Sequence, residues 1–200
     1  MTVTDPFAGL ARALDQHRPG SSDFDLNPEV ALPAVRKLRD AGVLIALQDT
    51  SKGLQLILTK RNSALKHHPG QIAFPGGKVD PSDDGQIGAA LRESHEEIGL
   101  DPANVQVMGT LPAHETVTGF SVTPVLGRVL TDFTPVPEAG EVDEVFTVPF
   151  AHVMDVTRYQ IQSRLWRGTQ RRYFVVPYGP YYIWGATARI LRALAERMVV

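Results

Sequence analysis

Cysteine is absent from the 200 residues of this chain. That excludes a disulfide framework, a thiolate nucleophile and a cysteine-ligated zinc site. Long apolar runs are missing too. Nothing approaches the roughly 20 consecutive apolar residues of a membrane span, and the N-terminus, with Asp5 early, lacks the continuous apolar stretch of a secretion signal. Charge is nearly balanced, with 20 Lys and Arg against 22 Asp and Glu and a formal net charge of −2. Without a basic excess there is no electrostatic footprint for general nucleic-acid binding, so an anionic substrate must be held locally. No internal repeat or low-complexity tract is present, and the terminal residues Glu196 to Val200 are not the peroxisomal tripeptide signal. A cytoplasmic enzyme acting on a small molecule, with neither membrane nor nucleic acid as partner, is the simplest class left.

What is present fits one substantial core: 43% of residues are apolar and 21% charged. Leu10, Ala11, Ala13 and Leu14 precede a Pro/Ser/Asp-rich connection through Asn27-Pro28, and a helix is expected around Val30 to Arg39. Val43 to Leu47 and Leu54 to Thr59 are of strand length and flank the turn Ser51-Lys52-Gly53, which predicts a hairpin. Val105 to Leu111 and Val122 to Leu130 read as further strands, and Glu141 to Pro149 starts acidic and becomes strand-like. Arg158 to Trp166 and Arg171 to Val176 are expected to pair around Gly168, with Trp166, Tyr173 and Phe174 supplying apolar surface. Tyr181-Tyr182-Ile183-Trp184-Gly185 then opens a helix with Ile183, Ile190, Leu191, Leu194 and Met198 on one side. Strands alternating with two long helices predict a mixed α/β architecture.

The chemistry is concentrated between Phe74 and Leu100. The spacing predicts a helix from about Gln86 to Ile98, capped at its start by Asp83 or Asp84 and ended by Gly99 in a left-handed conformation. Ile87, Leu91, Ser94 and Ile98 fall on one stripe, the expected packing face. Glu93, Glu96 and Glu97 fall elsewhere, at i, i+3 and i+4. Like charges one turn apart cost roughly 0.2–0.5 kcal/mol per pair, and Arg92 alone does not neutralise three carboxylates. A hard divalent cation such as Mg²⁺ or Mn²⁺ would, because it prefers oxygen ligands and shares them with substrate phosphates. The competing reading is a solvated acidic face, which predicts no cation-dependent turnover.

Upstream lies a cationic group, Lys60, Arg61 and Lys66, with His67 and His68, feeding the turn at Gly76-Gly77. Arg61 can grip a phosphate through two parallel hydrogen bonds, and Lys66 offers a point charge. His114 reads as a satisfied loop histidine ahead of a catalyst.

The segment Arg92-Glu93-Ser94-His95-Glu96-Glu97-Ile98-Gly99-Leu100, preceded by Gly76-Gly77, resembles the signature box of the Nudix hydrolases. It departs from that box in having an aspartate, Asp83 or Asp84, at the early acidic position, one extra residue between Gly77 and Arg92, and Ser94 at an apolar position. Leu58-Thr59-Lys60-Arg61 through Gly70 and Phe74-Pro75-Gly76-Gly77 is similar to a second signature, that of the coenzyme A pyrophosphatase branch, with Ile57, Asn62 and Lys66 differing. The likeness extends weakly to Tyr182-Ile183-Trp184-Gly185.

The resemblance implies an α/β/α sandwich with a mixed β-sheet, a single domain over residues 1–200 with residues 1–40 as an N-terminal extension, and a possible homodimer. It implies divalent-metal-dependent hydrolysis of a pyrophosphate in coenzyme A or acyl-CoA, giving 3′,5′-ADP and (acyl) 4′-phosphopantetheine. The alternatives are another nucleoside diphosphate derivative, such as ADP-ribose or a damaged nucleotide, and a non-catalytic nucleotide-sensing module. The expected metal ligands are Glu93, Glu96, Glu97 and the Gly77 carbonyl. Arg92 would orient a glutamate, Lys60, Arg61, Lys66, Gly76 and Gly77 would meet the substrate, and Glu141, with Glu144 and Glu93 as rivals, would serve as base.

Overall fold

The computed structural model describes residues 5, 7–30, 32, 36–166 and 168–199. In chain order it begins with helix α1 (Ala8–Leu14) and strands β1 (Ser21–Ser22), β2 (Arg39–Thr50), β3 (Gly53–Arg61), β4 (Ile72–Ala73) and β5 (Gly76–Lys78). Helix α2 (Gly85–Ile98), strands β6 (Val105–Thr110), β7 (His114–Glu115), β8 (Phe120–Val129) and β9 (Val142–Pro149) and helix α3 (Phe150–Met154) follow. Strands β10 (Gln160–Trp166) and β11 (Thr169–Val175) and helix α4 (Gly185–Met198) complete it.

The continuous apolar run Val43 to Leu47 signals a strand covered on both faces, because successive side chains alternate sides. Leu44, Ala46 and Ile57 pack with Ala90 and Ile98 of α2, whereas Ile45, Leu47, Leu56 and Leu58 pack with Leu10 of α1, Val153 of α3 and Leu191 and Leu194 of α4. The sheet between these layers has nine strands, with β2 antiparallel to β3 and parallel to β8. This is the expected α/β/α sandwich with a mixed sheet. No helix among the described residues is long and apolar enough to cross a membrane.

The β2–β3 hairpin closes through Ser51-Lys52, with Thr50 opposite Gly53. Past Leu47 and Leu56 the two strands diverge. The chain from Ile72 to Lys78 fills the fork, β4 pairing with β3 and β5 with β2. That insertion requires glycine at 76: its φ is 145°, and a Cβ there would lie 2.4 Å from the Gly42 carbonyl oxygen. Helix α2 presses onto β2 so closely that a Cβ at Gly42 would meet the Gln86 carbonyl oxygen at 1.9 Å.

Two expectations are corrected. The helix around Val30 to Arg39 is not found among the described residues; residues 31 and 33–35 lie outside them, Arg36 to Leu38 have no regular structure, and Arg39 already pairs with Phe120. Pairing with β8 overrides the local pattern. The packing stripe of α2 is also shifted: Ala89, Ala90, Ser94, Glu97 and Ile98 are buried, while Ile87 is 38% exposed. The close approach at Gly42 admits only small side chains under the first turns. The paired strands around Gly168 form a separate two-stranded sheet, and Phe174 packs on the core; the Trp166 side chain lies outside the described residues.

Candidate active site

Helix α2 ends as its glycine requires. Gly99 has φ 71°, and its N–H reaches the His95 and Ser94 carbonyls. At the start, Asp84 occupies the N-cap position but makes no capping hydrogen bond with its side chain. Asp83 is turned away from the helix terminus instead. Its two oxygens accept Arg92 Nε at 2.8 Å and Nη2 at 3.0 Å, a bidentate pair that holds the Asp83 carboxyl below its ordinary range. Asp83, and not Asp84, is therefore the aspartate that holds Arg92. Arg92 also donates to Glu96 Oε2 at 2.8 Å, Glu93 Oε1 at 3.1 Å and the Lys78 carbonyl at 3.2 Å. The guanidinium thus ties the helix to β5.

The three glutamates are not equivalent. Glu97 is only 5% exposed, and its Oε2 accepts the Gly76 N–H at 3.1 Å. Glu93 is half-buried against β5, where a Cβ on Gly77 would lie 2.3 Å from Glu93 Oε1. Glu96 is exposed and engaged by Arg92. No three His, Asp or Glu side chains among the described residues stand close enough together to hold a cation. The structure brings Glu93 and Glu97 to one place, over Gly76-Gly77, and leaves Glu96 beside it.

Burial pushes the Glu97 carboxyl from 4.5 up to about 7; Gly76 and Arg61 act against that rise, while Glu93 and Glu141 add to it. Burial also raises Glu93, opposed by Arg92 and reinforced by Glu96 and Glu141. Glu141 thus adds its field to both buried glutamates. It arrives there because the preceding loop is sewn to the end of α2: Val136 N–H donates to the Ile98 carbonyl and Glu138 N–H to the Glu97 carbonyl, both at 2.9 Å.

On the other side stands Arg61, whose Nη1 is 4.0 Å from Glu97 Oε1 and whose Nε is buried without a hydrogen-bond partner among the described residues. A register shift between Lys60 and Arg61, opposite Glu144 and Val142, marks a bulge at this end of β3. Lys60 is not brought to the same place. The pleat puts it on the Leu56 and Leu58 face, opposite α2, beside Glu144. There Glu144 accepts the Tyr181 hydroxyl, and Tyr181 stacks on Phe146 at 3.6 Å. Lys66, His67 and His68 are exposed on the loop after β3.

His114 is fully buried at the start of β7. Its Nδ1 lies 2.8 Å from Ser21 Oγ and its Nε2 3.2 Å from Asp23 Oδ1, a brace that fastens β1 to the sheet. A surface cavity of about 540 Å³ is lined by Leu14, His17, Arg18, Thr110 and their neighbours, and none of the glutamates of α2 borders it.

The donor types at Gly76-Gly77 fit a hard divalent cation: the carboxylates of Glu93 and Glu97 and the backbone carbonyl of Gly77 are all oxygen. Arg61, 4.0 Å away, lowers the Glu97 value without offsetting the burial that raises it. Sequence reasoning did not separate Asp83 from Asp84, because nothing along the chain distinguishes two adjacent aspartates.

An α/β/α sandwich with acidic residues of one helix turned onto a glycine pair is the build of a hydrolase in which a cation assists. The family model described as NUDIX domain matches residues 38–167. The chain belongs to the Nudix family. It is 41% identical over 170 residues to an uncharacterized Nudix hydrolase NudL of Enterobacter sp. (strain 638), covering 85% of this chain and 88% of that one. To NudL of Citrobacter koseri it is 40% identical over 175 residues, covering 88% and 90%. A crystal structure of a MutT/nudix family protein from Enterococcus faecalis superposes with a TM-score of 0.50 at 14% identity, covering 86% of this chain and 66% of that one, a likeness of fold. Nudix hydrolases act on small nucleotide derivatives and generally use Mg²⁺ or Mn²⁺.

Proposed function

We propose that this Nudix hydrolase cleaves the pyrophosphate of coenzyme A or acyl-CoA, giving 3′,5′-ADP and 4′-phosphopantetheine or its acylated form. The observation that carries the hydrolytic reading is the pair Glu93 and Glu97 over Gly76-Gly77, faced by an Arg61 guanidinium with an unused donor. Glu93 and Glu97, with the Gly77 carbonyl, would hold the cation, and Glu96 would join them only by leaving Arg92. When bound, Mg²⁺ or Mn²⁺ supplies a Lewis acid at the phosphate oxygens and an acidified water.

The chain's own groups do the rest. Arg61 grips a phosphate oxygen, and the glycine backbone lets that phosphate come close. Glu141 takes the proton of the attacking water, with Glu93 as the rival for that role, while Arg92 keeps Glu93 oriented. Lys66 supplies charge from the loop, and Lys60 would reach substrate only around the edge of the sheet. The water oxygen bonds to phosphorus, the bridging P–O bond breaks, and the leaving phosphate takes the electron pair. The catalytic unit proposed is the whole chain, with residues 1–40 as an extension whose Leu10 and Ala13 are buried in the core.

The coenzyme A assignment is supported by the segment from Leu58 to Gly77. Its test is Mn²⁺-dependent turnover of coenzyme A, acetyl-CoA, ADP-ribose and oxidised nucleoside triphosphates, with products identified by mass. Coenzyme A inert beside a hydrolysed ADP-ribose would overturn the branch and leave the family standing.

A further inference from the structure

The hairpin β10–β11 stands apart from the main sheet, and its two outer edges are treated differently. The edge of β11 is closed by a side chain acting as a strand. Asn27, 1% exposed, donates Nδ2 to the Arg172 carbonyl at 2.9 Å and accepts the Arg172 N–H on Oδ1 at 2.8 Å. No strand among the described residues pairs with the outer edge of β10.

The register fixes what that open edge presents. Arg172 is directly opposite Ser163, and its backbone groups point outward to Asn27, so this is a pair whose N–H and C=O groups face away from each other. Ser163 therefore points its backbone out of the hairpin, and with the period of two so do Ile161 and Leu165. Ile161 is 56% exposed and Leu165 76%. Residues 160–166 contain no Lys, Pro, Asp or Glu, and their one charged residue, Arg164, lies over the Trp184 ring on the other face.

We infer that β10 pairs antiparallel with β10 of a second copy of this chain, about a two-fold axis through Ser163. In that register Ser163 faces its own counterpart, and Ile161 faces Leu165 of the second copy. These are the residues whose backbone groups are free, so each facing pair exchanges two hydrogen bonds. Ile161, Ser163 and Leu165 share one face of the strand, so the two exposed apolar side chains Ile161 and Leu165 cover each other across the pair. On the opposite face Arg164 meets Gln162 of the second copy and not another arginine. The strand is thus complementary to itself, as an isologous contact requires. The result is one four-stranded sheet across the dimer, and nothing in the argument depends on the substrate.

The absence of cysteine makes the register directly testable in the full-length protein. Ser163→Cys places two thiols across a facing pair, within disulfide reach, and is expected to give a covalent dimer on mild oxidation. Ile161→Cys is expected to remain uncrosslinked, because its own counterpart sits four residues along, about 14 Å away. Ser163→Pro removes an N–H that the hairpin itself does not use, and should shift the protein from dimer to monomer in sedimentation while its circular dichroism spectrum is kept; Leu165→Lys asks the same should the proline variant fail to fold. A wild-type protein that sediments as a monomer overturns the inference. So does a dimer that survives both substitutions, or an Ile161→Cys variant that crosslinks as readily as Ser163→Cys.

Discussion

Glu97→Gln separates stability from activity, and the structure fixes the sign of both effects. The carboxyl lies beneath Gly76, 5% exposed, and is pushed from 4.5 to about 7, mainly by burial. Between those two values the folded protein binds more protons than the unfolded chain, so stability falls as pH rises through this window. At 1.36 kcal/mol per pK the full loss is roughly 3 kcal/mol, reached above pH 7 when no cation is present. Glutamine has nothing to titrate, can still accept the Gly76 N–H and can turn its amide donors toward Glu93. In EDTA, urea unfolding should find wild type and variant alike near pH 4.5, and the variant more stable by up to about 3 kcal/mol at pH 8. Mn²⁺ should raise the wild-type midpoint and leave the variant unmoved. Turnover in the variant should drop by orders of magnitude. A variant at pH 8 no more stable than wild type would refute the reasoning: the ionised carboxylate would then be a net contributor, held by Arg61 and Gly76.

Three further outcomes follow from the same geometry. Gly77→Ala puts a methyl 2.3 Å from Glu93 Oε1 and should lower kcat at least about tenfold with a small change in melting temperature, whereas Gly76→Ala, with φ 145° and β2 backbone 2.4 Å away, should cost about 3 kcal/mol or more of stability. Asp83→Ala should lower both melting temperature and kcat, because Arg92 loses its bidentate partner, while Asp84→Ala should stay within about 0.5 kcal/mol of wild type in chemical denaturation. Because a proton must leave Glu97 before a cation can bind, the Mn²⁺ concentration for half-maximal rate should fall about tenfold per pH unit from 5 to 7 and level off above; a flat profile would remove Glu97 from the cation site.

The sequence by itself determined several features that depend on neighbours along the chain. The C-terminal end of α2 was legible because Gly99 needs a left-handed turn, the hairpin because Ser51-Lys52-Gly53 separates two apolar runs, and the family because Arg92 to Leu100 keeps its spacing. Coverage of both sheet faces was legible in the unbroken apolar run from Val43 to Leu47. Choices between adjacent residues belonged to the tertiary structure. Glu96 sits about 100° around the helix from Glu97, and only the position of Arg92 decides that it turns away from Gly76-Gly77. Lys60 and Arg61 are consecutive in β3, so the pleat sends them to opposite faces, and which face holds the carboxylates depends on where α2 docks. Asp83 and Asp84 are alike until Arg92 selects one of them. Arg39 follows a segment with a helical pattern, yet it starts a strand because β8 lies beside it. In each case the deciding partner is far away in sequence, and periodicity carries no record of it.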